Sequence, residues 1–229
     1  MIAGIIFDVD GTLLDSMPIW DHAGERYLRS LGIEAAPDLG NVLFPMSMRE
    51  GASYMKREYG LSFSITEIIK GVNDTIRSFY ACEAKPKEGV LEFLRELKCH
   101  HVKMTAATST DRCVIEPALE RTGILRELEG LFTCSEIGVG KEKPDIYEAA
   151  RQCMGTDVSS TWVAEDALHA LRTARSAGFG TIGVYDASSQ SQQEEIRLEA
   201  DIYRMDLRDG SALFQELQAF PAIIRKRKL

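Results

Sequence analysis

The strongest constraint on the fold is a series of short apolar runs that recur along the chain with helical patterns between them. The first run covers residues 3–7 and ends in the sequence Asp-Val-Asp-Gly. Runs of this length without polar alternation are typical of strands buried on both faces of a parallel sheet. Further runs lie at residues 102–108, 131–134, 161–164 and 181–185, and a weaker sixth lies at 201–205. We predict that these six segments are strands.

Helical patterns fill the intervals between the later runs. Apolar residues keep a helical spacing after Pro86, after Asp111, which we predict to be a helix N-cap, and before Gly178. Strands that alternate with helices imply right-handed crossovers and a parallel sheet covered by helices on both faces. The predicted class is therefore α/β, with a doubly wound, Rossmann-like sheet.

Residues 17–85 interrupt this alternation. Three amphipathic helical patterns follow one another there, at residues 20–31, 48–59 and 65–79, and no strand pattern intervenes. A length of 229 residues also favours one domain with a sizeable insertion. We predict an α/β core domain (residues 1–16 and 86–229) and a small all-helical cap domain (residues 17–85) inserted after the first strand. We expect the insertion above the carboxyl edge of the sheet, where open α/β folds bind ligands.

Composition narrows the class of ligand and the compartment. The chain has 27 basic and 35 acidic residues and a net charge of −8, which argues against binding to nucleic acid. It contains neither a run of 18 apolar residues nor a charged leader, so we expect no membrane span and no signal peptide. Five scattered cysteines favour reduced thiols. We therefore expect a cytoplasmic protein, a monomer as the simplest state, and a charged tail at residues 225–228.

Two pairs of carboxylates end two of the predicted strands. Asp8 and Asp10 close the first strand on the same side, and Glu165 and Asp166 end the fourth. Two like charges about 4 Å apart repel by roughly 4 kcal/mol at an effective dielectric constant near 20, so a cation or a proton must intervene. Oxygen ligands without imidazole or thiolate suit Mg²⁺. Helix capping is the alternative interpretation, but it explains one acid rather than two pairs.

Candidate anion-binding groups follow two other strands. Thr108 and Ser109 lie between the second strand and a helix, where hydroxyls and backbone amides bind anions, although plain capping is the alternative. Lys141 and Lys143 lie in a turn before a helix whose predicted first residue is Pro144. Either ammonium could neutralise a phosphate and hold a carboxylate in place, whereas an isolated loop lysine is commonly only a solvated charge.

Together these segments resemble the haloacid dehalogenase superfamily of phosphohydrolases. The resemblance extends over residues 2–207 and is carried by four motifs, which are Asp8-Val-Asp-Gly-Thr, Thr108, Lys141 ahead of Pro144-Asp145, and Glu165-Asp166. The helical insertion resembles the cap of the β-phosphoglucomutase and phosphoglycolate phosphatase branch. The resemblance implies a phosphatase that acts on a small phosphorylated metabolite.

The resemblance also implies roles for the acids. Asp8 corresponds to the nucleophile that forms an aspartyl-phosphate, and Asp10 to the general acid and base. Mg²⁺ would be held by Asp8, the backbone carbonyl of Asp10 and Asp166. Glu165 would bind the metal directly or stand behind these ligands.

Thr108, the Ser109 amide and Lys141 correspond to the groups that hold the transferring phosphoryl group. Lys143 is an alternative ligand because Glu142 replaces the usual proline of this motif, but the spacing from Pro144-Asp145 favours Lys141. Arg49 matches a cap arginine that contacts the distal phosphate of the substrate in this branch, with a solvated charge as the alternative.

Two positions separate a phosphatase from a sugar phosphomutase. Trp20, a candidate substrate-binding residue, stands where the mutases carry a histidine that gates phosphate transfer. Asp111 stands where they carry a lysine for the second phosphate, although Arg112 could substitute. We therefore expect a Mg²⁺-dependent phosphatase, with a sugar phosphomutase and a catalytically weak binding or regulatory protein as alternatives.

Overall fold

The computed structural model describes residues 2–43, 46 and 48–220. The basic segment 225–228 lies outside the described residues. The chain forms two compact units. One contains the residues up to Asp15 and from Lys85 onward, and the other contains Ser16–Ala84.

The described residues contain eight strands and eleven α-helices. The strands are β1 (Gly4–Phe7), β2 (Leu14–Asp15), β3 (Lys85–Pro86), β4 (Lys103–Thr108), β5 (Gly130–Thr133), β6 (Thr161–Glu165), β7 (Gly180–Val184) and β8 (Ile202–Arg204). The helices are α1 (Pro18–Ser30), α2 (Leu39–Leu43), α3 (Met48–Glu58), α4 (Ile65–Cys82), α5 (Val90–Cys99), α6 (Arg112–Thr122), α7 (Cys134–Ile137), α8 (Asp145–Met154), α9 (Leu168–Ser176), α10 (Gln193–Glu199) and α11 (Gly210–Ala219).

The first unit is built on a six-stranded sheet with the order β5-β4-β1-β6-β7-β8. Every neighbouring pair in this sheet is parallel. The six strands begin and end within one or two residues of the predicted runs, and the α/β class is confirmed. Strands β2 and β3 form a separate antiparallel ribbon, which was not predicted because two-residue strands show no periodicity.

Helices cover both faces of the sheet. Ile6 in the central strand β1 belongs to a buried cluster with Ile146 and Ala150 of α8. The next residue, Phe7, points to the opposite face because side chains alternate along a strand. Its ring meets the ring of Phe93 in α5 edge-on, with 6.2 Å between the ring centroids. The sheet is therefore buried on both sides, as its uninterrupted apolar strands require.

The second unit contains α1–α4, and its described residues include no strand. Helix α1 buries Ile19, Ala23, Tyr27 and Leu28 on one face. Helix α4 begins with a capping box in which Ser64 and Glu67 satisfy each other's backbone N–H groups. Helix α2 was not predicted because five residues are too few to show a helical period. In the described part of the chain, no helix combines the length and the apolar character that crossing a bilayer demands.

Two predicted helix starts differ in detail. Helix α8 begins at Asp145, and Pro144 occupies the N-cap position before it rather than the first helical position. Asp111 does occupy the N-cap position of α6, but its side chain makes no capping hydrogen bond. Its carboxylate accepts a hydrogen bond from the Ser135 hydroxyl instead.

Candidate active site

Three acidic side chains meet where the adjacent strands β1 and β6 end. Phe7 of β1 is level with Ala164 of β6, so the residues that follow emerge at the same edge of the sheet. The Asp8 backbone N–H donates a hydrogen bond to the Ala164 carbonyl oxygen at 2.9 Å. One carboxylate oxygen from each of Asp8, Glu165 and Asp166 lies within 4.8 Å of the other two, and all three residues are buried.

Lys141 supplies a positive charge to this cluster. Its ammonium donates a hydrogen bond to Asp8 Oδ1 and a second one, at 2.7 Å, to Glu165 Oε1. Lys141 is only 5% exposed although it lies in the turn before α8. Lys143, the alternative considered from the sequence, is exposed. The structure therefore brings Lys141 rather than Lys143 to the acids.

The oxygens of the cluster fall into two groups. Glu165 Oε1 accepts hydrogen bonds from both Lys141 and the Tyr147 hydroxyl, the latter at 2.8 Å. Asp8 Oδ2 and Glu165 Oε2 are buried and have no hydrogen-bond partner among the described residues. Buried carboxylate oxygens without a donor are costly, so these two atoms fit a site for a hard cation such as Mg²⁺.

The electrostatics of the cluster also fit a site for a cation. Burial raises the pKa of Asp8 well above its usual range, against the attraction of Lys141. Burial, with the nearby charges of Glu165 and Asp186, raises the pKa of Asp166 to about 7. Burial alone would lower the pKa of Lys141, but the charges of Asp8 and Glu165 raise it above its ordinary value. The site thus has an excess of negative charge that one ammonium does not neutralise.

Asp10 is held by a threonine pair at the end of β4. Its Oδ2 accepts a hydrogen bond from Thr110 Oγ1 at 2.7 Å and one from Thr108 Oγ1 at 3.3 Å. The Thr110 backbone N–H donates to Thr108 Oγ1 at 3.0 Å, which fixes the turn that carries both hydroxyls. Gly11, directly after Asp10, has a φ of +87°, a conformation that glycine adopts without strain. Asp10 is therefore fixed by contacts on its side chain and by a tight turn.

The remaining candidates lie elsewhere on the two units. Ser109 follows β4, and its hydroxyl lies 3.6 Å from the Cys134 sulfur. Arg49 is the second residue of α3 and Trp20 the third residue of α1, so both belong to the second unit. Trp20 is 44% exposed.

The sequence analysis missed four residues that contact the site or its loops, which are Lys87, Thr110, Tyr147 and Asp186. A second threonine two residues after Thr108 is a signal that could have been used. Tyr147 lies two positions beyond the recognised motif, where periodicity does not distinguish a tyrosine that acts through its hydroxyl from one that only packs in the core. Lys87 and Asp186 are 99 residues apart, and their pairing depends on the tertiary fold.

Comparison with known proteins shows similarity to a family of hydrolases and to named phosphatases. The sequence model of the haloacid dehalogenase-like hydrolases matches residues 5–184. A phosphorylated carbohydrates phosphatase from Thermotoga maritima is 26% identical over 78% of this chain and 82% of its own length. A validoxylamine A 7′-phosphate phosphatase from Streptomyces hygroscopicus subsp. limoneus is 28% identical over 88% of this chain and 92% of its own length.

A solved structure supports the fold. The crystal structure of a candidate β-phosphoglucomutase from Thermotoga maritima superposes with a TM-score of 0.82. The alignment covers 94% of this chain and 99% of that one at 23% sequence identity. At this level of identity the likeness establishes the shared architecture and leaves the reaction to be argued from the site.

Proposed function

This chain belongs to the haloacid dehalogenase-like hydrolase family, and we propose that it is a Mg²⁺-dependent phosphatase of a small phosphorylated metabolite, such as a sugar phosphate or a similar monoester. Two relatives that align over most of their length are phosphatases by name, one of phosphorylated carbohydrates. The observation that carries the proposal is the buried cluster of Asp8, Glu165 and Asp166 with Lys141 inside it.

The oxygens of this cluster suit Mg²⁺. We propose that Asp8, the backbone carbonyl of Asp10 and Asp166 hold the ion. Glu165 keeps one oxygen on Lys141 and Tyr147 and has its other oxygen available to the ion or to a ligand of it. When bound, the ion neutralises negative charge on the acids and on the phosphoryl group.

Asp8 is the proposed nucleophile because a carboxylate needs no base to activate it once repulsion from the substrate is relieved. One of its oxygens forms a bond to phosphorus while the bond from phosphorus to the leaving oxygen breaks. Asp10 donates a proton to that leaving oxygen. In the second step Asp10 takes a proton from water, the water oxygen bonds to phosphorus, and Asp8 is released with inorganic phosphate.

Three groups are proposed to hold the transferring phosphoryl group. Lys141 carries the positive charge, and its contact with Asp8 places that charge beside the nucleophile. Thr108 and the Ser109 amide lie at the end of β4, next to β1 in the sheet. Preorganised donors of this kind stabilise the charge that develops in the transition state.

Hydrolysis is favoured over the mutase alternative by the surroundings of Arg112, the residue that could have bound a second phosphate. Its guanidinium donates to both Glu136 oxygens, at 2.6 and 2.9 Å, and to Glu116 at 3.2 Å. It also donates to the Leu131 carbonyl at 2.6 Å. These acceptors engage the Arg112 guanidinium within the protein. The Asp111 carboxylate accepts a hydrogen bond from the Ser135 hydroxyl.

We further propose that the second unit is a helical cap that recognises the leaving group, with Arg49 and Trp20 as substrate contacts. The first unit is the proposed core domain. We propose a cytoplasmic location, which the five free cysteines favour, and a monomer as the simplest state.

The test is a phosphate-release assay with Mg²⁺, first on p-nitrophenyl phosphate and then on hexose phosphates, phosphoglycolate and nucleotides. We expect phosphate release from a small phosphate ester and its loss after EDTA treatment, reversed by added Mg²⁺. Isomerised sugar phosphate without free phosphate would establish a mutase. No turnover of any ester would leave the binding or regulatory alternative.

A further inference from the structure

Lys87 joins two other segments of the first unit beside the candidate site, although it belongs to none of the four motifs. Its ammonium donates hydrogen bonds to the carbonyl oxygen of Gly11 at 2.7 Å, the carbonyl oxygen of Tyr185 at 2.6 Å and Oδ2 of Asp186 at 2.8 Å. Its side chain is only 16% exposed. Its backbone N–H also donates to the Leu13 carbonyl oxygen at 3.0 Å.

The contacts of Lys87 differ from those of a solvated surface lysine. An ammonium has three donors, and here each of them has an acceptor in the protein. Hydrogen bonds from a charged donor are stronger than neutral ones, and low exposure strengthens them further. The ammonium is therefore fixed in position, and so are the backbone segments that it contacts.

One of these segments carries Asp10. Gly11 follows Asp10 directly, and its N–H donates to the Leu14 carbonyl oxygen at 3.0 Å, which closes the turn. Lys87 binds the carbonyl oxygen of the same residue from outside the turn. Lys87 follows β3, which pairs with β2 just beyond this turn. Lys87 thus fixes the turn against β3 through both its side chain and its backbone N–H.

The other segment lies at the end of β7. Asp186 binds Lys87 through Oδ2 and accepts from the Ser188 N–H and hydroxyl through Oδ1, at 3.0 and 2.7 Å. Both of its oxygens are therefore occupied, whereas Asp8 and Glu165 each have one oxygen with no donor in the described part of the chain. Asp186 is thus a partner for Lys87 and not a further candidate metal ligand.

We propose that Lys87 is a positioning residue that fixes the Asp10–Gly11 turn against the end of β7. This inference rests on the proposed function, in which Asp10 gives its proton to the leaving oxygen. Loss of the ammonium releases the turn and displaces the Asp10 carboxylate, while Asp8, Glu165 and Asp166 keep their positions. Phosphoryl transfer from an ester with a poor leaving group should suffer most, because departure of that group depends on the proton from Asp10.

The test compares Lys87→Met with the control Lys103→Met. Lys103 is the first residue of β4, at the end of the strand opposite to the candidate site, and its ammonium donates to the Met154 carbonyl oxygen. Both variants are assayed on p-nitrophenyl phosphate and on the sugar phosphate that the wild type hydrolyses fastest. Lys87→Met should lower kcat/KM on the sugar phosphate by about 100-fold, since small displacements of a catalytic group have effects of this size. The loss on p-nitrophenyl phosphate, whose leaving group needs little protonation, should be at least about fivefold smaller. Lys103→Met should match the wild type.

Two further measurements distinguish a positioning role of Lys87 from neutralisation of the Asp186 charge and from a general disturbance of the site. The Kd for Mg²⁺, measured by calorimetry without substrate, should rise by no more than about tenfold in Lys87→Met, because the carboxylates of Asp8 and Asp166 keep their positions and only the Asp10 carbonyl moves with the turn. The double variant Lys87→Met/Asp186→Asn should remain slow. Recovery of activity in the double variant would show that Lys87 only neutralises Asp186, and would overturn the proposal. Equal losses on both substrates would also overturn it.

The failures of the two proposals are distinguishable. An active wild type with unchanged kinetics in Lys87→Met refutes the positioning role alone, whereas a wild type inactive on every ester refutes the proposed function and this inference with it. Far-UV circular dichroism and the urea midpoint verify folding. If Lys87→Met does not fold, Lys87→Gln, whose side chain is one atom shorter and lacks the positive charge, is put through the same assays with the same criteria.

Discussion

Asp8 and Glu165 each place one carboxylate oxygen on a protein donor, and the other oxygen of each is buried with no donor among residues 2–43, 46 and 48–220. The donors are Lys141 for both residues and Tyr147 for Glu165 alone. Because the occupied oxygens fix the two side chains, the remaining oxygens have defined positions in a site with excess negative charge. At the residue scale this division of oxygens is the basis of the proposed metal site.

The role of Asp8 is tested by Asp8→Asn. The amide cannot attack phosphorus, so turnover of any ester substrate should fall by about 10⁴-fold or more. The urea midpoint of the metal-free protein should not fall, because the change removes one of several like charges from a buried cluster. Asp157→Asn, an exposed aspartate before β6, is the matched control. Turnover of Asp8→Asn within tenfold of wild type would contradict the assignment.

Tyr147→Phe tests the positioning of Glu165. The change removes one hydrogen bond to Oε1 and leaves the ring packed in the core, where it lies 6.2 Å from the Phe179 ring. We expect Mg²⁺ affinity to fall by about tenfold, as for other groups that orient metal ligands. Calorimetric titration of Mg²⁺ measures this without substrate. Tyr203→Phe, which removes a hydroxyl bonded to Gln193, is the control, and equal affinities in the two variants would contradict the role.

The raised pKa of Asp166 predicts a pH dependence. A carboxyl pKa raised by folding to about 7 means that the folded, metal-free protein binds a proton that the unfolded chain releases near pH 4. The contribution of this group to stability is therefore present at low pH and is lost as the pH rises through 7. Mg²⁺ must displace the same proton, so its affinity should increase by up to about tenfold per pH unit below pH 7.

Calorimetry at pH 5.5, 6.5 and 7.5, in buffers of different ionisation enthalpy, measures both the affinity and the protons released. Asp166→Asn should reduce the proton release and, without metal, should be more stable than the wild type at pH 8. An Mg²⁺ affinity that is independent of pH over this range would contradict the electrostatic account.

At the scale of elements, sequence periodicity predicted most of the sheet. Strands buried on both faces give continuous apolar runs, and β1, β4 and β6 therefore lie within one residue of their predicted positions. The β2–β3 ribbon and helix α2 are shorter than one full period of any pattern, and their formation depends on contacts distant in sequence. Asp111 occupies the predicted N-cap position of α6, but its carboxylate accepts a hydrogen bond from Ser135 of α7 and none from the backbone of α6.

The start of α5 depends on a glycine, and Gly89→Ala tests this packing. Gly89 has a φ of +82°, and a Cβ there would lie 2.2 Å from the backbone of Leu207 and Arg208. Gly155 ends α8 with a φ of +62°, and apart from its chain neighbours no described residue lies within 4 Å of an added Cβ. We expect Gly155→Ala to cost about 1 kcal/mol of unfolding free energy, from backbone strain alone, and Gly89→Ala about 3 kcal/mol or more. Urea denaturation measures both, and equal losses would contradict the packing argument.

At the scale of the whole molecule, the site combines residues that motifs reveal with residues that only the fold brings in. Asp8, Lys141 and Glu165 stand in recognisable local patterns at strand ends, and they meet because β1 and β6 are neighbours. Lys87 and Asp186 have no pattern of their own, since a loop lysine and a loop aspartate are ordinary surface residues in a sequence. Lys87 follows β3 and Asp186 follows β7, so their contact forms only when folding brings the ends of these two strands together.

The most direct test of the central claim is a crystal structure of the protein grown with Mg²⁺ and beryllofluoride, a mimic of a phosphoryl group bound to a carboxylate. We predict beryllium bonded to a carboxylate oxygen of Asp8, Mg²⁺ in contact with oxygens of Asp8 and Asp166, and the Lys141 ammonium beside the fluorides. Beryllofluoride bound to any other residue, or Asp8 and Asp166 turned away from a common ion, would contradict the account.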